Sequence, residues 1–167
     1  MTDIAEIAAF MRERSLTLAT VESCTAGLIA ATLANIPGAG ALLDCAFVVY
    51  SPDAKHRCVG VPRSVLEKNN LTSEVVARAM ALGAAARTPA NIIIANTGIT
   101  EAVDDEIPAG TQCFAWAFKA ASNDAAPVIY TGTRRFTGTR HRIRQAAANH
   151  ALLQLRERYL AWQRSCP

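Results

Sequence analysis

The sequence predicts an α/β fold, a three-layer α/β/α arrangement around a mixed, mostly parallel sheet of about five or six strands. Three observations predict it. Strand-like apolar runs alternate with helical segments in the order α-β-α-β-(α)-α-β-β-β-α. Residues 92–95 are apolar on both faces, as a central strand between two helical layers is. Phe114, Trp116 and Phe118 share a face by strict alternation, and a further strand-like run at 128–136 follows, so these two pair antiparallel.

Residues 2–14 read as a helix, with Ile4, Ile7, Ala8 and Met11 on one face. A strand at about 16–21 runs straight into a helix at about 24–35, which Pro37-Gly38-Ala39-Gly40 stops. A second strand at 44–50 is bounded by Ser51-Pro52-Asp53, and a short helix after Pro62 carries Val65 and Leu66. Thr72 or Ser73 caps the next helix, which displays Val75, Ala79, Leu82 and Ala86 and closes at Pro89. The central strand ends in Asn96-Thr97-Gly98, and a loop at about 99–110 carries Glu101, Asp104, Asp105 and Glu106. Residues 121–126 read as the turn between the last two strands. One long helix from Thr139 to about Leu160 carries the stripe Ala148, Leu152, Leu155, Tyr159 and Trp162. With no repeat, low-complexity tract or linker, residues 1–167 read as one domain.

A net charge of +3 does not by itself call for nucleic acid, and no apolar run approaches the ~20 residues of a membrane span. The first residues carry acids and helical periodicity, unlike a secretory leader. Five cysteines without a CxxC pair suggest neither a zinc site nor a disulfide framework, and a reducing cytoplasm fits them best.

The strand-to-helix passage at Glu22-Ser23-Cys24-Thr25-Ala26-Gly27 is where chemistry is expected. Such a turn sits at the C-terminal edge of a sheet, beside helix N–H groups suited to an anion or oxyanion. Ser23 there is either an N-cap or a nucleophile. The backbone N–H groups of Cys24, Thr25, Ala26 and Gly27 are the candidate oxyanion donors. His56, His141 and His150 lie in charged or helical contexts, without an evident carboxylate to orient them, and read as surface residues. A Ser–Lys arrangement is the other route to an activated serine. Tyr50 and Lys55 fall where they could present a phenol and an amine at the same sheet edge, although Lys55 reads equally as a solvated residue after a turn. To act as a base, the lysine needs a pKa well below ~10.4, from burial or from neighbouring Arg57. Cys24 is a rival nucleophile. Arg134, Arg135, Arg140, Arg142 and Arg144 form either a phosphate site or a solvated basic face.

Taken together, Val21-Glu22-Ser23-Cys24-Thr25-Ala26-Gly27, Pro37-Gly38-Ala39, Phe47-Val48-Val49-Tyr50-Ser51-Pro52-Asp53-Ala54-Lys55 and Gly60-Val61 resemble the CinA C-terminal domain family. Ser73-Glu74-Val75-Val76-Ala77, Thr97-Gly98-Ile99, Pro108-Ala109-Gly110-Thr111 and Arg135-Phe136-Thr137-Gly138 extend the resemblance over nearly the whole chain, with Arg140 and Ile143-Arg144. The resemblance implies an amidohydrolase like nicotinamide-nucleotide amidase, which converts nicotinamide mononucleotide (NMN) and water to nicotinic acid mononucleotide and ammonia. It implies Ser23 as nucleophile, Tyr50 and Lys55 as its activating pair, and Thr97, Gly98, Arg135 and Arg140 toward substrate. No metal or cofactor is implied. The partner is a small carboxamide or nucleotide, without nucleic acid or membrane, and family members often form homodimers or higher homo-oligomers.

Two departures stand out. Ala26 occupies a position where the family usually has glycine. Thr100-Glu101-Ala102-Val103-Asp104-Asp105-Glu106-Ile107 replaces a glycine-rich loop, and its acids would repel a phosphate. The second departure bears on substrate rather than fold. The alternative it leaves open is a catalytically silent or substrate-shifted member that binds a nucleotide-like ligand or a protein partner.

Overall fold

A computed structural model describes residues 3–120 and 125–165. Its strands are β1 (Leu18–Glu22), β2 (Leu43–Val48), β3 (Ile92–Gly98), β4 (Thr111–Phe118) and β5 (Val128–Arg135). They form one sheet in the order β2-β1-β3-β4-β5. β1 pairs parallel with β2 and with β3, while β4 is antiparallel to both β3 and β5. β4 alone runs against the common direction, so the sheet is mixed and mostly parallel by strand direction.

Strand alternation divides the interior into two cores. Leu18, Ile92, Ile94, Phe114, Trp116 and Phe118 pack on one face. Covering them are α1 (Ile4–Glu13), α2 (Leu28–Ala34), α6 (Arg140–Leu153) and α7 (Leu155–Ser165). Ala19, Val21, Ile93, Ala95, Ala115 and Ala117 pack on the other face. There they meet α3 (Pro52–Val59), α4 (Arg63–Lys68) and α5 (Glu74–Ala85). Three large aromatics of β4 thus point one way and small residues point the other. Burying each aromatic contributes roughly 2–3 kcal/mol, so the first face supplies the heavier core. The second face lets the alanine-rich α5 lie close. Gly83 shows how close: a Cβ there would overlap the carbonyl oxygen of Val59 at the end of α3.

Most expected elements form within a few residues of their predicted places. Asp3 caps α1 by accepting the Glu6 N–H at 2.8 Å, and Ser73 caps α5 through the Val76 N–H. The expected turn at 121–126 lies largely outside the described residues.

Three expectations need correction. Residues 52–59 form α3 rather than a strand boundary followed by a turn. The long C-terminal helix is interrupted at Gln154, giving α6 and α7. Just before that break, the Ala151 carbonyl accepts the Trp116 indole N–H at 2.8 Å and so competes with the helix's own hydrogen bonding. His150 is half-buried, its ring against Phe114, Trp116 and Phe136. Burial, helped by the charges of Arg134 and Arg158, lowers its pKa to about 4 and keeps it neutral near pH 7.

Candidate active site

The C-terminal ends of β1, β2 and β3 lie side by side, the edge at which open α/β sheets place their ligands. At the end of β1 the chain leaves Glu22, turns through Ser23-Cys24-Thr25-Ala26 and enters α2. Ala26 (φ 49°) and Gly27 (φ 92°) make that turn in the left-handed region. For glycine this is free; for Ala26 it costs about 1 kcal/mol. The turn is clamped from both sides. The Ser23 N–H donates to the Asn96 carbonyl at 3.0 Å and the Thr25 N–H to Asn96 Oδ1 at 3.1 Å. From α6, Arg144 donates through Nε to the Cys24 carbonyl and through Nη2 to that of Thr25.

The four N–H groups expected to await an oxyanion are fewer in the fold. Thr25 donates to Asn96, Ala26 to the Ser23 carbonyl, and Gly27 to Glu22 Oε2 at 2.9 Å. The Glu22 carboxylate is fully buried and also accepts from Ile29 at 3.1 Å and Ala30 at 3.0 Å. The chain's own carboxylate therefore occupies the anion position at the start of α2. Of the four, the Cys24 N–H alone has no hydrogen-bond partner among the described residues.

Lys55 reaches this turn from α3. Ser51 caps α3 by accepting the Ala54 N–H at 3.1 Å, Pro52 opens it, and Gly60 ends it at φ 69°. That geometry buries Lys55 to 1% exposure and sets its Nζ 3.0 Å from Ser23 Oγ. The Val49 and Tyr50 carbonyls lie 3.1 Å from the same nitrogen. Burial lowers its pKa from 10.5 to about 8. Arg57 is not the cause, since it faces outward and pairs with Asp53.

The three neighbours of Nζ have a chemical consequence. Carbonyls only accept, whereas a hydroxyl both accepts and donates. A neutral amine directs its two N–H groups to the two carbonyls, and its lone pair then faces Ser23 Oγ. The ammonium form directs its third N–H to that oxygen instead.

Tyr50 follows β2 and is 56% exposed. Its carbonyl holds Lys55, while its phenol oxygen accepts from Arg140 Nη2 at 3.0 Å. Arg140 Nη1 donates to Thr100 Oγ1 at 2.8 Å. Tyr50, Lys55 and Arg140 line a cavity of about 290 Å³ together with Ser23, Cys24, Thr97, Gly98 and Glu101. The Thr97 hydroxyl donates to the Leu71 carbonyl at 2.8 Å. Gly98 leaves room that a Cβ would take from the Gln112 side chain and the Thr111 carbonyl. Arg135 does not join the lining; its Nε donates to the Ala109 carbonyl at 2.9 Å. Burial pushes the Cys24 thiol pKa up, against a Gln112 hydrogen bond and the charges of Arg140 and Arg144. Among the described residues, no three His, Cys, Asp or Glu side chains gather as a metal site would require. No helix there is long and apolar enough to cross a membrane.

Sequence reasoning missed the buried amides beneath the turn. Asn96 Nδ2 donates to Gln112 Oε1 at 3.0 Å, and Gln112 Nε2 donates to the Ile99 carbonyl at 3.0 Å and to Cys24 Sγ at 3.3 Å. The available signal was an amide beside the apolar run of each of two strands, Asn96 after Ile92–Ala95 and Gln112 before Cys113–Phe118. Glu22, at the end of a fully buried strand, gave the same kind of signal.

The chain and its fold have counterparts among known proteins. The model of the CinA C-terminal domain matches residues 2–159. A CinA-like protein of Geobacter sulfurreducens is 38% identical over 156 residues, covering 92% of this chain and 36% of that protein. The chain spans about a third of the length of the first such relatives. The nicotinamide-nucleotide amidohydrolase PncC of Enterobacter agglomerans is 35% identical over 149 residues, 88% of this chain and 87% of that protein. The crystal structure of the competence damage-inducible protein A (ComA) from Klebsiella pneumoniae superposes with a TM-score of 0.86 at 30% identity. That match covers 96% of this chain and 99% of the other.

Proposed function

Because the chain belongs to the CinA C-terminal domain family, we propose that it is an amidohydrolase that cleaves a carboxamide C–N bond, as nicotinamide-nucleotide amidase does in NMN, with Ser23 as nucleophile. The observation that carries this reading is the 3.0 Å approach of the buried Lys55 amine to Ser23 Oγ. The name of the Enterobacter relative supports the reaction class.

Neutral Lys55 takes the Ser23 proton as Oγ attacks the carboxamide carbon. The carbonyl oxygen becomes an oxyanion beside the open Cys24 N–H. The tetrahedral intermediate expels ammonia, which needs one proton. The Lys55 ammonium can supply it directly or through Tyr50. Because the Tyr50 phenol oxygen accepts from Arg140, its own O–H is free to point into the cavity. Water then attacks the Ser23 ester as Lys55 takes its proton, and the carboxylic acid leaves as Lys55 returns that proton to Ser23 Oγ.

The test is ammonia release from NMN and from related carboxamides by the wild type and by Ser23→Ala. The variant keeps its fold, followed by circular dichroism, and loses at least about 10³-fold in kcat, the scale of removing a nucleophile. Wild-type rates in the variant would remove Ser23 from the reaction.

A further inference from the structure

The direction of the open Cys24 N–H is set from beneath the turn. The Ser23 carbonyl accepts from the Ala26 N–H at 3.0 Å. In a trans peptide the next N–H points opposite to that carbonyl, so the Cys24 N–H faces out of the turn. The N–H groups on either side of it are held by one residue. The Asn96 carbonyl accepts from Ser23, and Asn96 Oδ1 accepts from Thr25. The aim of the Cys24 N–H therefore follows the position of Asn96.

Asn96 is held in turn by Gln112, and both side chains are fully buried. With Oδ1 accepting from Thr25, the Asn96 amide nitrogen must donate, and it meets Gln112 Oε1 at 3.0 Å. Gln112 is left with Nε2 as its donor, toward the Ile99 carbonyl and Cys24 Sγ. Reversing either amide sets donor against donor or acceptor against acceptor, so this buried relay has one orientation. Gly98 makes the reach possible. It stands opposite Gln112 in the ladder, and a Cβ there would overlap the Gln112 amide. The same relay ties Ile99, in the cavity wall, to the turn that carries Ser23. Resting on the amidase reading above, we propose that Asn96 and Gln112 are positioning residues that aim the Cys24 N–H at the oxyanion, and that they act on the tetrahedral state rather than on the bound substrate.

The probes are NMN and pyridine-3-boronic acid. Boron accepts a lone pair of Ser23 Oγ, the hydroxyl proton passes to Lys55, and the tetrahedral boronate sets a hydroxyl where the oxyanion stands. Asn96→Leu and Gln112→Met keep the size of each side chain without its amide. In both variants kcat for ammonia release and affinity for the boronate fall by at least about tenfold, while the Kd of NMN, measured on the Ser23→Ala background, changes by less than about twofold. Circular dichroism follows folding, and Gln112→Met, which leaves the Thr25 N–H its acceptor, carries the test if Asn96→Leu does not fold. Unchanged kcat and boronate affinity overturn the proposal. So do equal losses in NMN and boronate binding, the mark of a merely structural defect, and a boronate that binds the wild type no better than Ser23→Ala. Weakened boronate binding in the variants, beside a wild type that releases no ammonia from NMN or related carboxamides, supports the positioning and overturns the amidase reading, so the two failures are distinguishable.

Discussion

Lys55 and Ala26 show how single residues shape the turn that carries Ser23. Lys55 is not neutralised by an acid; it is held by two carbonyls and a hydroxyl in a site with almost no solvent contact. Desolvation disfavours the ammonium and so enlarges the neutral fraction, whose lone pair can meet Ser23. Ala26 carries a backbone cost in the same turn, with φ 49°. Ala26→Gly removes the Cβ that makes this conformation unfavourable, although glycine also frees the unfolded chain. The expected net effect is a gain of about 0.5–1 kcal/mol in chemical denaturation. A loss of stability would mean that the Ala26 methyl contributes more by packing than it costs by conformation. Ser23 and Lys55 were legible in the sequence as residues of one sheet edge, because strand ends can be read from apolar runs. Glu22, Asn96 and Gln112 were not. A buried polar group that serves another buried polar group leaves no periodic mark, and only the folded neighbours reveal its partners.

At the scale of elements, α3 and α5 set the reach of the lysine. Lys55 rides on α3, and α3 rests with its Val59 carbonyl against the bare backbone at Gly83 of α5. Helix propensity alone would favour Gly83→Ala by ~1 kcal/mol. The overlap is expected to win, because the obstructing atom is backbone and cannot swing away. The variant should lose about 1–3 kcal/mol in denaturant melts, the usual cost of overpacking. It should also lose activity, as α3 shifts and carries Lys55 from Ser23. A variant as stable and active as the wild type would show that α3 can move without consequence. The sequence did contain the limits of α3: Ser51 as cap, Pro52 in the first turn and Gly60 past the end. Its charged middle, read beside a strand end, looked like a turn. The break at Gln154 had no local signal, since the apolar stripe continues across it and the nearby perturbation, the Trp116 indole, comes from a distant strand.

For the whole molecule, the topology does the gathering. Placing β1 between β2 and β3 brings three parallel strand ends together: Ser23 after the first, Tyr50 after the second, and Thr97 and Gly98 at the end of the third. β4 adds Gln112 from below, and α6 closes the outside with Arg140 and Arg144. The alternation of strands and helices made this class of fold readable. The cavity's charge was not readable in the same way, because arginines clustered in sequence disperse in the fold: Arg134 to His150, Arg135 to the Ala109 carbonyl, Arg140 to Thr100 and Tyr50, and Arg144 to the turn after β1. The proposed mechanism requires an uncharged Lys55 as the base for Ser23, and the pH dependence of kcat/KM tests that most directly. It should be measured on a carboxamide that does not itself titrate between about pH 6 and 10. With a pKa of about 8, the amine is roughly one-tenth neutral at pH 7. Activity should therefore rise about tenfold per pH unit below the inflection and level off above a midpoint near 8. A flat profile through that range, or a rise that continues unbroken toward the ordinary lysine pKa, would contradict it.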